Sequence, residues 1–315
     1  MKVIEHLAKA NSPLFSFEII PPIRGKSAQE ILDIVEKLQT YQPPFIDVTS
    51  HSAEAYYEEL DNGSINRRIR KKRPGTISIC GIIQNRFHID TVAHLLCRGF
   101  SKEETEDAVI ELNYLGIHNV LVIRGDETNY KKPARHDRSI NLYAADLVQQ
   151  VHQLKQGKYL EDIINADAID FCIGVGGYPE KHFEAPNLKT DIQYLKKKVE
   201  AGADYIVTQM FFDNQVYFDF VERCRNAGID IPIIPGIKLL DNPRQLRTIP
   251  RSFHINLPDE LVDEVLENEK HCREIGMNWC TRQSEELLNS GVSCIHYYIL
   301  NDTSSVRLVL DKLRS

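Results

Sequence analysis

The feature that most restricts this chain is its rhythm. Short apolar runs rich in β-branched residues alternate with amphipathic stretches of helical period. The runs are LFSFEII (14–20), FIDVTS (45–50), VAHLLC (92–97), VLVIRGD (120–126), DFCIGVGGY (170–178), YIVTQMFF (205–212), IPIIPGI (231–237) and SCIHYYIL (293–300). Most are continuous rather than alternating, as strands of a parallel sheet covered on both faces should be. Between them, Ser27 to Thr40 carries Ile31, Ile34, Val35 and Leu38 at helical spacing, and Ser101 with Glu104 forms a capping box ahead of a helix that runs to Gly116. Segments 142–156, 188–201, 215–226 and 305–313 follow the same rule, and three more helices fit between IPGI and the last run. Eight strand–helix units in 315 residues, with no linker to divide them, predict a single-domain (β/α)₈ barrel over 1–315. An open doubly wound sheet is the alternative. It would place G-x-G-x-x-G between a first strand and its helix, and that motif is missing; GVGGYP (174–179) ends a late strand instead. TISICGIIQNRFH (76–88) breaks the alternation and reads as a local strand or an insertion spanning 74–90.

Charge and cysteine usage narrow the class further. A formal charge of −7 and a pI near 5.9 argue against nucleic acid as a partner. The basic run Arg67 to Arg73 (RRIRKKR) reads as a solvated helix end. No apolar span is long enough for a membrane, and MKVIEHLAKANSP has no signal-peptide core, so the expected location is the cytoplasm. The seven cysteines, at 80, 97, 172, 224, 272, 280 and 294, contain no C-x-x-C spacing, so no metal site is expected and the thiols should be reduced and mostly buried.

In a barrel of this kind, reactive groups gather at the C-terminal ends of the strands. The polar residues of the apolar runs fall there. Thr49 and Ser50 end the second run, His94 sits in the third, and Arg124, Gly125 and Asp126 end the fourth. Tyr178 follows the fifth, Gln209 lies in the sixth, and Tyr297 and Tyr298 come late in the eighth. Individually each has a structural reading: His94 as a satisfied core histidine, Arg124 with Asp126 as an ion pair. Glu18, late in the first run, is the most demanding. A carboxylate in an apolar strand must reach water, pair with a cation, or stay protonated.

Read in order, SFEIIPP, FIDVTS, VAHLLC, VIRGD, YAADLV, GGYPEKH, AGADYIVTQMFFD and IIPGI resemble a methylenetetrahydrofolate reductase, in its bacterial single-barrel form without the regulatory C-terminal domain. The resemblance implies FAD at the barrel mouth, reduced by NADH or NADPH, and 5,10-methylenetetrahydrofolate as the substrate reduced to 5-methyltetrahydrofolate. It also implies a homo-oligomer. Glu18 matches the family's general acid and Asp126 the carboxylate beside flavin and pterin. FAD contacts carry onto Thr49, His94, Arg124, Gly125, Asp126, Tyr143, Ala144, Tyr178, His182, Ala185, Asp191 and Lys198, and folate contacts onto Gln209 and Gln245. Two positions depart from the pattern. Asp302 stands where many members have a substrate-touching arginine, and Ile249 where some have a stacking aromatic. Two other readings compete: a different flavin-dependent barrel enzyme similar to proline dehydrogenase, and a non-catalytic partner subunit.

Overall fold

The computed structural model describes residues 1–126, 139–300 and 302–314. Its strands are β1 (Leu14–Ile19), β2 (Phe45–Val48), β3 (Ala53–Glu59), β4 (Ile65–Lys71), β5 (Asp90–Leu96), β6 (Asn119–Ile123), β7 (Cys172–Gly177), β8 (Tyr205–Thr208), β9 (Ile233–Ile234), β10 (Gly236–Ile237) and β11 (Cys294–Leu300). Its α-helices are α1 (Val3–Lys9), α2 (Gln29–Gln39), α3 (Thr76–Phe87), α4 (Lys102–Tyr114), α5 (Ala144–Leu154), α6 (Leu188–Glu200), α7 (Asn214–Asn226), α8 (Gln245–Phe253), α9 (Asp259–Glu267), α10 (Cys272–Asn289) and α11 (Ser304–Leu313). One sheet runs β10-β11-β1-β2-β5-β6-β7-β8-β9, and each pairing in it is parallel. Its two end strands are halves of one run broken at Pro235, so the nine strands make eight staves and the sheet closes on itself. This is the expected barrel.

Side-chain parity builds the two cores. On β1, Phe15, Phe17 and Ile19 join the large cluster that packs against α2, α3 and the other outer helices, which turns Ser16 and Glu18 inward. Likewise Ile46 and Val48 point outward and Phe45 and Asp47 inward; Ala93 and Leu95 outward, Val92 and His94 inward. The lower interior is apolar: Phe45, Val92, Leu121, Cys172, Tyr205, Val207, Ile234 and Cys294 fill it, with Val3 of α1 packed beneath. The backbone N–H of Val3 donates to Asn119 Oδ1 at 2.8 Å, which seats α1 under the N-terminal end of the barrel. All seven cysteines are free and buried, as expected.

Two local readings need correction. Segment 76–88 is neither a strand nor an insertion but α3, the helix that follows the second stave. Its β-branched content hides a helical stripe of Ile79, Ile83 and Phe87, all buried at a spacing of four. The basic run 67–73 is not a helix end. Through Lys71 it is β4, which pairs antiparallel with β3 in a hairpin inserted between β2 and α3. Leu60 to Ser64 makes the turn, with Gly63 at φ +77°. Arg67 and Arg68 stand opposite Tyr57 and Tyr56, and Arg70 lies over the Tyr56 ring at 4.1 Å.

The interior leaves no room for one missing side chain. A Cβ on Gly174 of β7 would lie 2.4 Å from Cζ of the fully buried Tyr205 ring. Gly174→Ala is expected to cost about 1–3 kcal/mol by overpacking, measured as a lower urea midpoint with an unchanged m-value. An unchanged midpoint would contradict the packing described.

Candidate active site

Above the apolar layer the barrel interior turns polar, and this follows from the same parity. Ser16 and Glu18 of β1, Asp47 of β2, His94 of β5, and His296 and Tyr298 of β11 are the next inward residues on their staves. Glu18 is in register with both Asp47 and Tyr298. His94 Nε2 lies 3.6 Å from Glu18 Oε2 and 3.4 Å from Asp47 Oδ2. His296 Nδ1 is 3.9 Å from Asp47 Oδ1 and 2.9 Å from Ser16 Oγ. Asp47 and His296 are fully buried and Glu18 is only 12% exposed. Neither Asp47 oxygen has a hydrogen-bond partner, nor does Nε2 of either histidine. Two carboxyls and two imidazoles thus sit in contact with little solvent.

Burial dominates their protonation. It pushes Glu18 up to about 7; His94 opposes the rise, Asp47 adds to it, and Lys238 opposes it. Burial likewise pushes Asp47 up to about 7 against the pull of His296. Both histidines are held below their ordinary value, again by burial. Near neutrality both imidazoles are neutral, while the two carboxyls hold their protons below about pH 7. Of the three possible fates of Glu18, burial favours the protonated acid below that pH.

A second group of residues surrounds the mouth on the β6–β8 side. Arg124, at the end of β6, is ion-paired to Glu184, its guanidinium 5.2 Å from the centre of the Tyr143 ring. Arg98 bonds Gly125 O at 3.1 Å and Glu184 at 3.2 Å. Tyr178 meets the His182 ring edge-on at 4.6 Å. The backbone N–H of His182 donates to Asp191 Oδ2 at 2.8 Å, and Lys198 Nζ donates to Gly176 O at 2.5 Å. Burial lowers the Lys198 ammonium to about 8, opposed by Asp191. Burial raises the Tyr178 phenol to about 12, with Asp191 and Asp126 adding to it. Ala144 opens α5 next to Tyr143, and Ala185 closes the turn from His182. Thr49 continues β2 on the Glu18 side of the mouth, where its carbonyl accepts from Thr76 Oγ1 at 2.9 Å.

The structure therefore brings Glu18 and His94 together, and separately gathers Arg124, Tyr143, Tyr178, His182, Asp191 and Lys198. Gln209 sits just past β8, its N–H bonded to Gly177 O. Gln245 opens α8, where its amide oxygen accepts from the N–H groups of Asp241 and Asn242; it is engaged in its own loop. Asp302 accepts from Ser304 N at 2.8 Å and lies 3.9 Å from Arg273, while Ile249 is buried among Met210, Phe212 and Leu240. Sequence reasoning missed Asp47, His296 and Lys238. Alternation within each run puts 47 in step with 45, and 296 with 294 and 298, which gives their inward direction but not the neighbours they meet across the staves.

A closed parallel barrel with a buried carboxyl at its C-terminal mouth and a flanking arc of cations, tyrosines and backbone glycines has the architecture of the TIM-barrel class. The chain belongs to the methylenetetrahydrofolate reductase family, whose model matches residues 2–314. It is 30% identical over 332 residues to Methylenetetrahydrofolate reductase (NADH) 1 of Zea mays, covering 99% of this chain and 50% of the plant protein. It is 30% identical over 292 residues to 5,10-methylenetetrahydrofolate reductase of Salmonella typhimurium, covering 91% of this chain and 86% of that protein. The chain thus spans about half the length of the plant relative. Among solved structures it resembles an uncharacterized Clostridium thermocellum protein that binds two copies of 5-methyl-5,6,7,8-tetrahydrofolic acid, with TM-score 0.59 and 12% identity over 98% of this chain and 96% of that one. That likeness concerns the fold. Among the described residues no helix is long and apolar enough to cross a membrane.

Linkage gives a test of the buried acid pair. A carboxyl raised by burial binds its proton more tightly in the folded state, so its stabilising contribution is complete below its unfolded value and is lost as pH rises through about 7. In Asp47→Asn that loss disappears. The stability difference, variant minus parent, should move in favour of the variant by on the order of 2–4 kcal/mol between pH 4 and pH 8 in urea unfolding. A difference independent of pH would contradict the assignment.

Proposed function

We propose that this chain reduces 5,10-methylenetetrahydrofolate to 5-methyltetrahydrofolate with electrons from NADH or NADPH, using bound FAD and Glu18 as the proton donor. The observation that carries the reading is the buried Glu18 carboxyl at the mouth, whose proton is held up to about pH 7. The five-membered ring of the folate opens when its leaving nitrogen is protonated. Glu18 gives that nitrogen its proton as the carbon–nitrogen bond breaks, and an iminium cation remains on the folate. A donor works best with a proton affinity near the working pH, which burial gives Glu18. Asp126, beside Gly125, would supply the carboxylate that stabilises that cation. Gln209 and Gln245 serve as amide partners for the pterin; Gln245 must first exchange its bonds within the 241–242 loop.

The residues fit FAD. Thr49 Oγ1, His94 Nε2 and Arg124 Nε are buried polar atoms without hydrogen-bond partners around the mouth. A Cβ on Gly176 would fill space otherwise bounded by Ile123 at 3.7 Å and the Tyr178 hydroxyl at 4.0 Å. His182, Ala185, Asp191 and Lys198 would take the diphosphate and ribose end, and Tyr143 and Ala144 the chain leading to it. When bound, FAD supplies a two-electron carrier between the pyridine nucleotide and the folate. Asp302 is engaged by Ser304 and Arg273, and the Arg273 guanidinium offsets part of the repulsion its charge would cause. The cytoplasm and a homo-oligomer complete the proposal. Nothing in the site favours the proline dehydrogenase-like or partner-subunit readings.

The test is a visible spectrum during anaerobic titration. The purified protein is expected to be yellow, to bleach with NADH or NADPH, and to regain colour with methylenetetrahydrofolate. In Glu18→Gln the folate step should fall by ~10²–10⁴-fold while bleaching by the nucleotide continues. Equal loss of both steps would remove Glu18 from the role given to it.

A further inference from the structure

Glu18 has a cationic neighbour that the reaction scheme above leaves idle. Lys238 directly follows β10. Ile237 is in register with Tyr297, so residue 238 comes level with Tyr298, and Tyr298 is in register with Glu18. Three adjacent staves therefore carry Lys238, Tyr298 and Glu18 at one height. Parity agrees, since Ile237 packs with the outer helices and Lys238 turns to the mouth. Lys238 Nζ donates to Tyr298 O at 3.0 Å, which fixes the ammonium over the strand between it and the acid.

We propose that Lys238 is a positioning residue for Glu18: its ammonium, anchored on the Tyr298 carbonyl, sets the pH above which Glu18 no longer holds the proton it donates. The proposal rests on the reading of Glu18 as the donor. Among the described residues the charged and titratable groups in reach are few. Glu18 is faced by His94 from β5, Asp47 from β2, Tyr298 from β11 and Lys238. Lys238 is faced by Asp241 from its own loop, Asp302 from the β11–α11 connection, Glu18, and Cys280 from α10.

Two cations oppose the retention of the Glu18 proton, and they differ in when they are charged. His94 starts from 6.5 and burial lowers it, so near neutrality its ring is neutral and its pull is spent. Lys238 starts from 10.5 and is also lowered by burial, but from a much higher starting value, and Asp241 and Asp302 support its charge. Lys238 is thus the cation that acts on Glu18 in the working range. Burial and Asp47 together would otherwise hold the proton too firmly for efficient transfer, since a donor far weaker than the medium requires gives up its proton slowly. The ammonium offsets part of that grip without bonding to the carboxyl itself. Asp302 and Asp241 compete for the same charge, so the rim of the mouth is coupled to the acid inside it.

The experiment uses the full chain with ¹³C-labelled glutamate carboxyls, the Glu18 resonance being identified by its loss in Glu18→Gln. Lys238→Met should raise the Glu18 titration midpoint by on the order of half to one pH unit, and Lys238→Arg should leave it near that of the parent. The falling limb of the folate step should move up in the same direction in Lys238→Met. One pH unit above the parent midpoint this corresponds to about a three- to fivefold larger protonated fraction. If Lys238→Met does not fold, Lys238→Gln keeps a donor for Tyr298 O and gives the same readout. An unmoved Glu18 midpoint in a folded Lys238→Met or Lys238→Gln overturns the proposal. A midpoint that moves as expected in a protein that never reduces folate would instead uphold the coupling and sink the donor reading.

Discussion

The whole site depends on one unfavourable act: four titratable groups are taken out of water in the upper half of the barrel interior. Glu18 and Asp47 face His94 and His296 at 3.4–3.9 Å, contacts too long to be strong hydrogen bonds. Leaving two ionised carboxyls there would cost several kcal/mol each, so the pair keeps its protons instead. The fold tolerates this because everything around the cluster is made firm. The lower interior is filled by Phe45, Val92, Leu121 and Tyr205, and the outer helices bury the alternate residues of the same strands. Strand parity is therefore the link between packing and chemistry. The residues that turn outward hold the barrel together, and their neighbours, forced inward, make the site.

The mouth divides into two halves with different physics. On the β1, β2, β5 and β11 side the groups are buried and the carboxyls change charge around pH 7, suited to storing and releasing a proton. On the β6–β8 side Arg98 and Arg124 meet Glu184, and Lys198 feels the charge of Asp191. Such an arc suits an anionic, hydrogen-bonding cofactor. The substrate would then lie where the two halves meet, with the proton donor on one side and the electron carrier on the other. The hairpin of β3 and β4 is tied to the β1–α2 loop, where the backbone N–H of Arg24 donates to Lys72 O at 2.8 Å.

Most of the barrel was readable from the residues alone because its signals are local. Continuous apolar runs, the Ser101–Glu104 capping box, realised in α4 by reciprocal bonds of 2.8 and 3.2 Å, and the helical spacing of Ile31, Ile34 and Val35 all survive in the fold. The errors came where two periodicities overlap. In α3 the β-branched residues suggested a strand, although 79, 83 and 87 keep helical step. In β4 the density of arginine masked a strand whose partner and Asn62–Gly63 turn lay just upstream. The candidate site was legible in part. Glu18 and His94 were named from position and family pattern, but Asp47 and His296 carry meaning only through contacts across staves, which spacing along one strand does not display. Lys238 was hidden for the same reason.

Burial in the barrel interior keeps carboxyl protons at a pH where surface acids have lost them. Isotope-edited infrared spectroscopy measures this directly, through the carbonyl stretch of protonated carboxyls between pH 4 and pH 9. Two buried bands are expected to persist at pH 6 and to fade around pH 7, one absent in Glu18→Gln and the other in Asp47→Asn. Disappearance of every protonated carboxyl by pH 5 would contradict it.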